Sequence, residues 1–193
     1  MNKLSSIQNL SKLKTPTLVF FNPTSSLTGW TTPTGNWGIN NYLAVNYWLV
    51  CNTTGKYIYI NTGLSSLKGT KIVFTVSVTG GCPGIYFGCN SSGAGTLFRF
   101  ETRGGSNRAG FANTASWTSW NAPSNSIAYA FTQNTWLTIA IVTNSVGVAS
   151  WYLNDVAQDP GFNYTINDKG GYIGFICDGA TNFQIFQVSV YQI

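Results

Sequence analysis

From residue 17 onward, apolar and polar positions alternate in short runs, and Gly, Asn, Pro and Ser interrupt them roughly every 8–12 residues. Lys71–Thr79 is the clearest run. Ile72, Phe74, Val76 and Val78 fall on one side, and Thr75, Ser77 and Thr79 on the other. A period of two marks a strand with one buried face. The same reading places strands at Thr17–Phe21, Tyr42–Val50, Tyr57–Asn61, Gly84–Cys89, Thr96–Thr102 and Ser126–Phe131. It continues with Thr135–Thr143, Gly147–Leu153, Gly171–Cys177 and Asn182–Tyr191. In the last run Phe183 and Ile185 share one face, whereas Phe186, Val188 and Val190 share the other. A β-bulge near Ile185–Phe186 reconciles the two phases. No segment after residue 17 keeps a helical period, and no repeat recurs at a fixed spacing. The pattern predicts an all-β chain whose residues 17–193 form a two-sheet antiparallel β-sandwich of jelly-roll type.

Residues 1–16 read differently. Leu4, Ile7, Leu10 and Leu13 recur every three residues and Pro16 follows, which describes a short amphipathic segment or an extended arm. An unattached terminus frays. Four aliphatic side chains are better used if the arm docks on another subunit. The stretch Leu18–Phe21 is too short for a secretory core, and lysines interrupt what precedes it.

Composition narrows the chemistry. Aromatic residues make up 15% of the chain and charged residues 8%, so solubility rests on neutral Asn, Ser, Thr and Gly. A disordered chain has the opposite balance. Histidine is absent, which removes imidazole triads, imidazole-based zinc sites and imidazole pH switches. The net charge is +5, with Lys3, Lys12 and Lys14 in the arm, too thin a basic region for packaging nucleic acid. Cys51, Cys82, Cys89 and Cys177 fit no metal spacing. Cys82 and Cys89 read as buried free thiols rather than as a bridge.

The last sixty residues carry a family resemblance. Thr135-Trp136-Leu137-Thr138-Ile139-Ala140-Ile141-Val142 resembles a strand of laminin-G-like and pentraxin-like domains. Ala149-Ser150-Trp151-Tyr152-Leu153-Asn154-Asp155-Val156 is similar to their following hairpin, with Asn-Asp where Asn-Gly or Asp-Gly is usual. Gly171-Tyr172-Ile173-Gly174 and Phe183–Tyr191 resemble their later strands, the second with Gln184-Ile185 where a glycine is common. The resemblance covers about a third of the chain and implies a concanavalin A-like sandwich. That fold hosts lectins, glycosidases, adhesion domains and virion proteins, so function must come from a site.

Glycosidases need a carboxylate pair. Here the carboxylates are Glu101, Asp155, Asp159, Asp168 and Asp178. Arg99, Glu101 and Arg103 share one strand face opposite Phe98 and Phe100. This stripe reads either as the floor of a groove for an acidic or polyhydroxyl ligand or as a solvated salt-bridge ladder, and no enzyme is expected. For sugar binding, Trp117, Trp120 and Asn121 in a polar stretch combine flat rings with neutral hydrogen-bonding groups. Trp30 and Trp37 form a second candidate pair. Trp136, Trp151, Trp48 and Tyr47 read as core or sheet-face residues. No segment has the density of oxygen ligands that calcium needs, so no metal or other cofactor is expected.

An adhesion-type sandwich with a docking arm and no export signal fits a virion protein. The expectation is a non-enzymatic bacteriophage structural protein made in the host cytoplasm and displayed on the virion surface. It would serve as capsid decoration, head-fibre or tail-adhesin component. Its partners would be other virion proteins held through the arm, further copies of itself and cell-surface glycans, without nucleic acid or membrane insertion. The alternative is a stand-alone, extracellular carbohydrate-binding module of lectin type. A jelly-roll coat protein and a glycoside hydrolase rank below both.

Overall fold

A computed structural model of the protein describes residues 16–22, 26–33, 37–42, 46–51, 53–101, 108–119, 125–128, 134–158, 164–179 and 182–193. The arm residues Leu4, Ile7, Leu10 and Leu13 lie outside them, as do Arg103, Trp120, Asn121 and Asp159.

The described strands are β1 (Thr17–Asn22), β2 (Trp30–Thr31), β3 (Trp37–Tyr42), β4 (Asn46–Cys51), β5 (Lys56–Asn61), β6 (Thr70–Thr79), β7 (Gly84–Cys89) and β8 (Gly95–Glu101). They continue with β9 (Arg108–Thr114), β10 (Asn125–Ala128), β11 (Trp136–Thr143), β12 (Val148–Leu153), β13 (Val156–Ala157), β14 (Tyr164–Thr165), β15 (Tyr172–Cys177) and β16 (Asn182–Gln192). No helix occurs among the described residues. One sheet has the order β13-β12-β11-β6-β16-β4-β3, with β1 also on β16 and β14 also on β12. The other runs β10-β9-β8-β7-β15-β5-β2. Every pairing between these strands is antiparallel. The chain is thus the all-β, two-sheet sandwich that the alternation predicts.

The period of two sets the core. Ile72, Phe74, Val76 and Val78 of β6 and Leu137, Ile139 and Ile141 of β11 are buried between the sheets. Ile85 and Phe87 of β7, Phe98 and Phe100 of β8, and Ile173 and Phe175 of β15 meet them. Phe74 and Phe175 join the layers edge to face at 5.8 Å, and Trp151 reaches Phe98 at 5.0 Å. In β16 the register shifts between Ile185 and Gln187. This is the expected bulge, and its effect is to return Val188 and Val190 to the inner face beside Phe183 and Ile185, all four buried. Below the bulge β16 pairs with β4, and beyond it with β1.

The β12–β13 hairpin turns at Asn154 and Asp155, with φ of 48° and 65°. Both are left-handed, as a two-residue turn of this kind requires. Asn154 tolerates the conformation and its Oδ1 accepts the Thr138 amide at 2.9 Å. Glycine removes the steric cost at the second position. Asp155→Gly is expected to raise stability by about 0.5–1 kcal/mol, read from the urea midpoint. A fall would show that the Asp155 side chain stabilises the turn.

Candidate functional site

The outer faces of the two sheets differ. On the β7-β15-β5 side, Tyr59 of β5 and Tyr86 of β7 flank Gly174 of β15, their direct ladder partner. The missing side chain leaves a slot, and Trp117 fills it. Its ring stacks on Tyr59 at 4.5 Å and 3°, and meets Tyr86 at 5.3 Å and 85°. Trp117 Nε1 donates to the Ser91 carbonyl at 3.0 Å, and the Tyr86 hydroxyl donates to the Trp117 carbonyl at 2.8 Å. Burial pushes the Tyr86 hydroxyl well above the usual phenol range, so it stays a donor.

Trp117 is therefore 5% exposed and pins a loop onto the sheet. This corrects its expected role as an open sugar platform. The same correction applies to Trp30 and Trp37. Both are buried in the core, against Phe175 at 5.7 Å and Phe183 at 6.3 Å. Short strands, β2 and β3, hold them there instead of a loop.

The charged stripe is corrected as well. Arg99 neither floors a groove nor lies in solvent. Its Nη2 donates to Asp178 Oδ2 at 2.9 Å, and the two side chains are 9% and 3% exposed. The pair spans β7 at Gly84, which opposes both Arg99 and Ile176. A Cβ on Gly84 would lie 2.6 Å from Leu97 Cδ1, so a larger residue would crowd the crossing. Glu101 is half-buried and opposes Arg108.

Among the described residues, the outer face of the other sheet is more exposed around Trp136. Its residues are those out of phase with the core: Trp136 and Thr138 of β11, Thr75 and Ser77 of β6, Gln184 and Gln187 of β16, and Trp48 of β4. Trp136 is 44% exposed. Trp48 meets it edge to face at 5.8 Å, and Phe186 does so at 6.0 Å. Phe186 is the extra residue of the β16 bulge, and the bulge aims it outward. The three rings form a braced aromatic platform, with no charged residue among its ladder neighbours Ser77, Gln184 and Val50. At the far end of this face Pro16, Lys71, Val73 and Tyr191 line an open cavity of about 360 Å³.

The phase of the sequence already contained this signal. If Leu137, Ile139 and Ile141 point inward, Trp136 points outward. The sequence leaves core and sheet face open for both tryptophans; the structure puts Trp151 in the core and Trp136 on the outer face.

A calcium site does not fit the described residues. Asp168 accepts Ser66 Oγ at 2.5 Å and the Leu67 amide at 3.2 Å, and Asp178 is taken by Arg99. No group of three or more acidic or cysteine side chains comes together among the described residues.

No protein-family model and no curated protein sequence matches the chain. Solved structures do. A Bacillus subtilis protein of unknown function with a galectin-like fold aligns at a TM-score of 0.60 and 12% identity, covering 93% of this chain and 97% of that one. The fold is a galectin-like β-sandwich. The exoplasmic/lumenal domain of VIP36, in a Ca2+/Man3GlcNAc-bound form, aligns at 0.60 and 10%, covering 93% and 91%. The carbohydrate recognition domain of Emp47p aligns at 0.59 and 9%, covering 91% and 97%. The similarity supports the expected concanavalin A-like architecture.

Proposed function

We propose that the protein is a carbohydrate-binding module of lectin type and that Trp136 is the centre of its binding face. The observation that carries this reading is the exposed Trp136 ring, held between Trp48 and Phe186 on a sheet face whose ladder neighbours Ser77, Gln184 and Val50 carry no charge. A flat aromatic ring offers an apolar surface to sugar C–H groups, and the half-buried Gln184 and Thr138 side chains on the same face serve hydroxyls. Structural neighbours that include a mannoside-bound domain and a carbohydrate recognition domain support the reading. Of the two functions expected from sequence, they favour the stand-alone module. Neither the fold nor the neighbours support display on a virion, and the proposal is made without it.

The ligand class is a neutral glycan, and the proposed action is binding without catalysis. Glu101 is the chain's single glutamate, and two of its four aspartates, Asp168 and Asp178, are occupied in holding the fold. Trp136→Ala is expected to weaken binding of a neutral oligosaccharide at least about tenfold, equivalent to about 1.4 kcal/mol. The melting temperature should stay near that of the wild type, because the ring is half in solvent. Glycan-array screening followed by calorimetry on the best ligand measures both. Undiminished affinity in the variant would refute the site, and an array without a neutral ligand would refute the function.

A further inference from the structure

The fold brings two thiols together from opposite sheets. Cys51 ends β4 in one sheet, Cys177 ends β15 in the other, and both are buried. Only residues 52–55 separate Cys51 from β5, and Lys56 of β5 opposes Cys177. The Gly55 amide donates to the Cys177 carbonyl at 2.6 Å. So short a crossover draws the ends of β4 and β15 together. Cys177 Sγ donates to the Cys51 carbonyl at 3.5 Å. Cys51 Sγ in addition donates to the Thr53 carbonyl at 3.3 Å.

We infer that Cys51 and Cys177 form an oxidation site, which a peroxide converts into a disulfide joining the two sheets. The Cys51 sulfur attacks one peroxide oxygen and the O–O bond breaks. The thiol proton leaves with the departing hydroxide as water, and Cys51 becomes a sulfenic acid. The Cys177 sulfur then attacks the Cys51 sulfur, the S–O bond breaks and the S–S bond forms. The Cys177 proton and the departing hydroxide make a second water. Two thiols are oxidised by two electrons, and one peroxide is reduced to two waters.

The order of the steps follows from the pair. Hydrogen bonding to Cys177 holds the Cys51 thiol below its usual range, against the opposing effect of burial. The same bond, then burial, raises Cys177. Cys51 is thus the readier nucleophile. Cys89 lies apart, on the outer face with Tyr86, Leu97, Trp117 and Ile176, and burial pushes its thiol up to about 12. Cys82 is the competitor to separate, because its amide donates to the carbonyl of Asp178, the residue after Cys177, at 2.6 Å.

The test treats the full-length protein with hydrogen peroxide, then denatures, alkylates and digests it without reduction. Two of the four free cysteines are expected to lose alkylation. One linked peptide should contain Cys51 and Cys177, and Cys82→Ser and Cys89→Ser proteins should still yield it. A linked peptide containing Cys82 or Cys89 overturns the assignment. Four thiols that all remain alkylatable, or oxygen uptake without any linked peptide, also overturn it.

Discussion

Arg99→Met is expected to destabilise the protein by about 3–5 kcal/mol, because it removes the counter-charge from a carboxylate that stays buried. Asp178 is 3% exposed beside the guanidinium. The variant keeps most of the apolar stem, so packing beside β7 changes little and the loss reports on charge. The double variant Arg99→Met with Asp178→Leu is expected to recover to within about 1 kcal/mol of the wild type, since an apolar replacement of both partners removes the desolvation cost together with the attraction. Urea unfolding of the four proteins of the cycle measures this directly. A single-variant loss below about 1 kcal/mol would mean that water screens the pair, as for surface ion pairs.

The second large effect is steric. In Gly174→Ala the new methyl carbon would lie 2.6 Å from Trp117 Cζ3 and 2.9 Å from the Ile58 carbonyl oxygen. Gly174 is held in the ladder between β5 and β7, so the strand cannot retreat. Trp117 must leave the slot and give up its stack on Tyr59 and its bond to the Ser91 carbonyl. Overpacking of this kind costs about 1–3 kcal/mol. Tryptophan emission is expected to shift to the red as the indole meets water. The same substitution in a Trp117→Ala background should cost less, because only the contacts with the Ile58 carbonyl oxygen and Tyr59 then remain. Equal costs in the two backgrounds would show that the clash is with the backbone alone and that Trp117 does not depend on the glycine.

The sandwich was legible because one face of each long strand is apolar and the other polar. The bulge of β16 was legible because its apolar residues change phase within a single strand. β9 was not, since Phe111 is the one large apolar residue in Arg108–Thr114 and no alternation stands out. β3 was missed as well: the pattern marks one strand at Tyr42–Val50, whereas the structure has Trp37–Tyr42 and Asn46–Cys51 as antiparallel neighbours. The site was hidden for a different reason. Whether a tryptophan is a platform or a plug depends on what faces it across the sheet, and Trp117 owes its burial to a glycine far along the chain. The Arg99–Asp178 pair likewise joins β8 to the residue just after β15, across β7. Local composition contains neither fact. Trp136 alone had a local signal, its phase against Leu137.

The first and last strands lie side by side, with Thr17 opposite Gln192 and Gln192 opposite Thr70. Along β6 that edge is seven residues from Ser77, the partner of Trp136, or about 23 Å of strand. A support joined to Thr17 or Gln192 therefore meets the domain at the end of the sheet away from the three rings. The domain can be held through Thr17, through Gln192 or through both at once, with the attachment at the end of the sheet away from its proposed glycan face.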